Sequence, residues 1–199
     1  MEKEKRYLKI DNQDFHTRIK KDADGRKFLV GYGSVFNQRS KIINEYVPSE
    51  MEYRTFFEVI EPQAFDEVLR GNPDVVISVD HDFTKLLGRT KSGTAILSID
   101  EKGLRYEVLI PNTTLGNDVA EMVERGDFFE SSFIFTVNAD GQKWEKDSET
   151  GIWVRYISNV SGLYDCTICS YAGAYANTDI EVATRMLKEI VEKEEHREE

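Results

Sequence analysis

The chain has 199 residues, 40% hydrophobic and 32% charged, a size and balance that predict one globular domain over residues 1–199. Its 26 Lys+Arg against 37 Asp+Glu leave a formal net charge of -11, which repels phosphate backbones and argues against direct nucleic-acid binding. No apolar run approaches the about 20 residues of a membrane helix, and Met1 to Arg6 lacks the apolar middle of a signal peptide, so neither a membrane nor export is expected.

The predicted core runs from about residue 27 to 191. Lys27 to Phe36 is rich in β-formers, with Gly31 and Gly33 marking a bend or a close backbone approach. From Ile42 to Tyr53 no period is visible, and with Pro48 and several charges the segment reads as a long exposed loop before a strand from Thr55 to Ile60. Pro62 suits the first turn of a helix, whose face would be Ala64, Phe65, Val68 and Leu69, ended by Gly71 and Pro73. Val75 to Val79 reads as a buried strand that ends at Asp80, His81 and Asp82.

Ala95, Leu97 and Ile99 alternate with polar residues, and so do Leu104, Tyr106, Val108 and Ile110 after the Glu101–Gly103 turn, which predicts a hairpin. Thr113 or Thr114 can cap a helix with Leu115, Val119, Met122 and Val123 on one stripe up to Gly126. Ser131 to Val137 is the next strand, with Ser132, Ile134 and Thr136 on one face and Phe133, Phe135 and Val137 on the other. A hairpin from Trp144 to Ile157 and a strand from Gly162 to Ser170 follow. Thr178 with Glu181 predicts a capped terminal helix carrying Ala183, Met186, Leu187 and Ile190, and residues 192–199 form a charged, frayed tail. The order predicts a mainly β chain with inserted helices, an α+β protein built as a closed or partly open antiparallel β-barrel surrounded by two or three helices.

Few residues offer chemistry. His16 and His196 lie in charged segments, which leaves His81 at the end of an apolar strand. Asp80 and Asp82 flank it, but strand neighbours point to opposite faces and no second His is near, so no metal is expected. Cys166 and Cys169 have the spacing of half a zinc site or a redox pair, yet without a second Cys pair they read as small core residues. No Gly-rich phosphate loop is present, and no cofactor is expected. Ser132 lacks a Gly-x-Ser-x-Gly elbow, which disfavours an α/β-hydrolase. Taken alone, His81 and Ser132 fit a satisfied strand-end residue and a strand filler better than they fit catalysis.

A set of landmarks in order changes this weighing. They are Gly31-Tyr-Gly-Ser-Val-Phe36, Glu58-Val-Ile-Glu-Pro-Gln-Ala-Phe65, His81-Asp82, Leu87-Gly-Arg-Thr90, Ser92-Gly93, Gly103-Leu104, Pro111 with Gly116 and Asp118, Ser132-Phe133, Leu163-Tyr-Asp165 and Ala174-Tyr175. From about Gly31 to Tyr175 the chain resembles the tailed-phage prohead proteases, capsid-maturation enzymes related to the herpesvirus assemblin-type serine proteases. The resemblance implies a serine endopeptidase with Ser132 as nucleophile and His81 as general base. It implies Asp165 as the third member, with Asp82 as the local alternative. It further implies that the substrates are scaffold regions of capsid proteins, cut inside the assembling prohead in the host cytoplasm. Assemblin relatives are dimers and phage relatives need not be, so a homo-oligomer is one expectation.

Three departures stand out. The chain has Ile134 where the family commonly has Gly, Asp80 where it has Asn, and Gly173 where it has Pro. Ile134 and Asp80 support a rival reading, a catalytically inactive protease-fold protein that binds scaffold or capsid subunits. An unrelated barrel that binds a small ligand is a third.

Overall fold

A computed structural model describes residues 3–8, 13–47 and 51–170. The predicted terminal helix, the tail and the Ala174-Tyr175 landmark lie outside them. Among the described residues thirteen strands form three sheets, with orders β1-β10-β13-β6-β7, β11-β12-β5-β4 and β2-β3-β9-β8. Here β1 is Glu4–Leu8, β2 Arg18–Lys21, β3 Lys27–Val35, β4 Ile43–Val47, β5 Glu52–Ile60, β6 Val76–Val79 and β7 Asp82–Arg89. β8 is Ala95–Ile99, β9 Gly103–Leu109, β10 Glu130–Val137, β11 Gln142–Lys146, β12 Trp153–Ile157 and β13 Val160–Cys169. The mainly β, α+β character is as expected, but the sheets do not close into a barrel. Each ladder ends on two different edge strands, and the pairs β12·β5 and β13·β6 are parallel rather than antiparallel.

Two α-helices occur among the described residues. α1 spans only Asp66–Arg70, because Pro62 to Phe65 forms a turn and Gly71 stops the helix. α2 spans Thr114–Arg125, where the Thr113 hydroxyl accepts from Gly116 N at 3.1 Å and Gly126 ends the helix at φ 83. Its stripe of Val119, Ala120 and Val123 is buried.

The segment 42–53, read as a loop, holds β4 and the start of β5 instead. They pair antiparallel, with Tyr46 opposite Tyr53 and ring centroids 5.3 Å apart. Both tyrosines are exposed, so the strands carry no buried alternation from which a period could be read.

One core joins the sheets. Phe133 and Phe135 stack at 4.6 Å, Phe65 meets Phe133 edge-on at 5.9 Å, and Ile77, Cys166 and Ile168 pack alongside. Burying each phenylalanine stabilises the fold by about 1.5–3 kcal/mol. Beneath β10, the Ser131 hydroxyl lies 2.8 Å from Tyr106 Oη and 3.3 Å from Thr17 Oγ1. Gly31 makes room for this cluster, since a Cβ there would come within 2.5 Å of the Tyr106 hydroxyl. The core side of β10 is thus pinned, which fixes what its other face presents.

Candidate active site

The central strands of the five-stranded sheet set four polar side chains on that other face. Ser132 pairs with Thr167, Ile134 with Asp165, and Thr167 with Ser78. Directly opposed residues share a face. Ser78, Ser132, Asp165 and Thr167 are all 0% exposed. Polar groups so deeply buried need partners.

The partner is delivered by a turn. Val79 pairs with Asp82, and the two residues between, Asp80 and His81, have φ of 53 and 57. Positive φ at both central residues is the mark of a type I′ hairpin turn, whose twist matches the flanking strands. Left-handed backbone costs a residue with a side chain about 1–2 kcal/mol, and three hydrogen bonds offset it. Asp80 N donates to Ile168 O at 3.0 Å, Ser170 N to Asp80 Oδ1 at 2.8 Å, and His81 N to Thr167 Oγ1 at 3.0 Å. Asp80, in place of the family's Asn, belongs to the few residue types that tolerate this conformation.

The turn folds the His81 ring back over the sheet. His81 Nε2 lies 2.6 Å from Ser132 Oγ, and Nδ1 lies 2.5 Å from Asp165 Oδ2. The second carboxylate oxygen accepts from Ser78 Oγ at 2.9 Å. Thr167 Oγ1 lies 3.1 Å from Ser78 Oγ and donates to Ser78 O at 2.8 Å. The His81 side chain is 2% exposed and that of Asp165 0%, so the chain of contacts runs through a dry site. There a hydrogen bond is electrostatically stronger than in water.

Asp82, the alternative third member, points elsewhere. Its Oδ1 accepts from Thr84 Oγ1 and Thr84 N, and Oδ2 lies 3.5 Å from Lys85 Nζ. Those contacts, the Thr84 hydroxyl first, hold its carboxyl below the ordinary range. Ser131 faces the opposite side from Ser132 and joins the core cluster with Tyr106. Arg89 is held by Asp74 in an exposed ion pair at 2.5 Å.

Ile134 is buried, two residues beyond Ser132 on the same strand and pairing with Asp165. His16 packs at 4.7 Å on Phe129, and His196 lies outside the described residues. Among the described residues no group of three or more His, Cys, Asp or Glu is placed to hold a metal ion. Cys166 and Cys169 are free, buried thiols, and burial pushes both upward from the ordinary thiol range, Cys169 to about 12.

Sequence reasoning missed Ser78 and Thr167. The available signal was their position: Ser78 interrupts the apolar run 75–79, and Thr167 sits within Cys166-Thr-Ile-Cys169. A hydroxyl inside a buried strand calls for a specific partner. Also missed was Tyr7, whose ring meets the His81 ring edge-on at 5.6 Å.

Comparison with protein families gives a match over residues 13–193 to a model described as caudovirus prohead serine protease. Comparison with curated proteins and with solved structures gives no match.

Proposed function

We propose that this chain, which belongs to the caudovirus prohead serine protease family, is a serine endopeptidase of capsid maturation in which Ser132, His81 and Asp165 carry catalysis. Its substrates are scaffold regions of capsid proteins, cut within the assembling prohead in the host cytoplasm. Among the described residues no helix is long and apolar enough to cross a membrane.

The chemistry follows from donor and acceptor counting. An ionised carboxylate only accepts, so Asp165 accepts a hydrogen bond from Nδ1–H of His81, and Nε2 is left as an acceptor. Nε2 then accepts from the Ser132 hydroxyl. As Ser132 Oγ bonds to a substrate carbonyl carbon, its proton passes to Nε2, and the imidazolium is stabilised by the adjacent Asp165 charge. When the tetrahedral intermediate collapses, the C–N bond breaks and Nε2 returns the proton to the leaving amine. Water then repeats the sequence on the acyl-enzyme and releases Ser132.

One observation carries the reading: a single imidazole bridges the Ser132 hydroxyl at 2.6 Å and the Asp165 carboxylate at 2.5 Å in a site sealed from water. The features that favoured an inactive relative count for less beside it. Asp80 suits the turn that delivers His81, and Ile134 coexists with the short Ser132 contact. The test is to incubate the purified protein with a capsid precursor and identify fragments by mass spectrometry. Discrete fragments from the parent and none from Ser132→Ala are expected. An intact precursor with both, under conditions where the precursor assembles, would favour the inactive binding protein.

A further inference from the structure

Ser132 is 0% exposed and the His81 side chain 2%, yet a peptide carbonyl must come within about 3–3.5 Å of the hydroxyl to react. Beside Ser132, at the edge of the same sheet, lies the strand β1. β1 pairs antiparallel with β10 over five residues, and the register sets Tyr7 opposite Ser132. Tyr7 therefore stands on the Ser132 side, with its ring against His81 and 55% of its surface exposed. It lies over the site as a cover and is not a core residue.

The opposite side of β1 is held by charge. Arg6 Nε donates to Glu58 Oε1 at 2.9 Å, and its Nη2 reaches Glu45 Oε2 at 3.2 Å. Arg155 Nη2 donates to Glu4 Oε1 at 2.9 Å, and Arg155 Nη1 to Glu58 Oε2 at 3.1 Å. Glu58 and Arg155 are only 4% and 5% exposed. The body of the protein thus offers β1 a buried carboxylate for a cation and a buried guanidinium for an anion. Full burial pushes the Glu58 carboxyl up from its ordinary range against the opposing pull of Arg6 and Arg155. A strand lacking the cation would leave that carboxylate short of a partner, which is strongly unfavourable.

β1 is also an edge strand, and it precedes the region matched to the family, residues 13–193. Its departure would bare the backbone donors and acceptors of β10 beside Ser132, a template for a new strand.

We infer that β1 occupies the position in which an extended substrate peptide binds, so that Glu4–Leu8 is a tethered competitor of substrate. The peptide that replaces it is an extended segment with a basic side chain for the Glu58 site, an acidic one two residues earlier for Arg155, and a large side chain following the basic one, over His81. The inference rests on the reading of Ser132 as nucleophile.

The test uses the full chain and a fluorophosphonate probe, which phosphonylates an activated serine with loss of fluoride. Tyr7→Ala removes the cover, and Arg6→Glu sets a negative charge against Glu58. In either variant phosphonylation is expected to accelerate about tenfold or more, the factor that about 1.4 kcal/mol of lost strand docking supplies. A synthetic peptide copying residues 3–9, added at about millimolar concentration to match a short tether, should slow the reaction again. The same peptide with Glu in place of its arginine should not. If both folded variants react at the parent rate, or if the two peptides act alike, the inference is wrong. Hydrogen exchange at residues 131–135 separates the two possible failures. Faster exchange in the variants with no probe reaction in any of them would refute the nucleophile, whereas unchanged exchange and unchanged reaction would refute β1 as a displaceable cover.

Discussion

Replacing Asp165 by Asn keeps the shape of a side chain that is 0% exposed while removing its charge. Its two oxygens now serve His81 Nδ1 at 2.5 Å and Ser78 Oγ at 2.9 Å, and an amide has two ways to meet them. With its NH2 toward the ring, Nδ1 must accept, the proton moves to Nε2, and Ser132 faces a donor that cannot take its proton. That wrong tautomer lowers the rate by about ten-thousandfold in the trypsin-type triad. With its carbonyl toward the ring, the tautomer survives and Ser78 accepts from the amide. The imidazolium formed during attack then lacks a neighbouring charge in a dry site, and the general base is worth about a hundredfold to ten-thousandfold. Either orientation therefore predicts a loss between about a hundredfold and ten-thousandfold in kcat, with little change in Tm because both neighbours keep a partner. Asp82→Asn, at a carboxylate bonded to Thr84 and exposed to solvent, should stay within about threefold, since it costs only surface contacts. The assay is precursor cleavage under single-turnover conditions alongside a thermal melt. The reasoning fails if Asp165→Asn keeps its rate within about tenfold or if Asp82→Asn is the more damaging change.

Thr167→Val should strip the partner from His81 N and destabilise the protein by about 1–3 kcal/mol while lowering kcat, and Thr167→Ser should restore both; equal activity of the two variants would show that Thr167 does not position His81. Asp80→Ala, forced to keep φ near 53 without the Ser170 bond, should cost about 1–3 kcal/mol, or roughly 2–4 °C in Tm per kcal/mol at this chain length. Asp80→Asn should remain within about 0.5 kcal/mol. Cys166 and Cys169 should resist alkylation at pH 8 in the native protein and react fully after unfolding, because burial raises both thiols and leaves little thiolate. Mass shifts read this directly, and rapid native labelling of Cys166 would contradict its burial.

What the sequence disclosed depended on whether one face of an element is buried. The hairpin of β8 and β9 and the amphipathic α2 with its Thr113 cap and Gly126 stop were legible because burial writes a period and the ends carry turn chemistry. β4 is half solvent-exposed, and β7 is bulged where it pairs with β6, so neither shows alternation. The charged β1 was equally silent, since beyond their contact with each other Glu4 and Arg6 are held by Arg155, Glu45 and Glu58, far away in sequence.

The closed barrel was overturned because a list of strands does not say which edges meet. At the site, Ser132 and His81 are 51 residues apart and Asp165 is 84 from His81, so no local pattern could bring them together. They were singled out through the order of family landmarks. The Asp80–His81 turn carries no glycine, and nothing in its composition announced two consecutive left-handed residues.

The most direct measurement of the central claim is peptide mapping of the fluorophosphonate adduct, on the parent chain and in the Tyr7→Ala background where Ser132 is uncovered. The account predicts one adduct, on Ser132, lost in Ser132→Ala and in His81→Ala but kept in Ser131→Ala. The last variant should lose only stability, because Ser131 bonds Tyr106 on the core face. An adduct on Ser131, or undiminished labelling of Ser132→Ala, would contradict the assignment of the nucleophile.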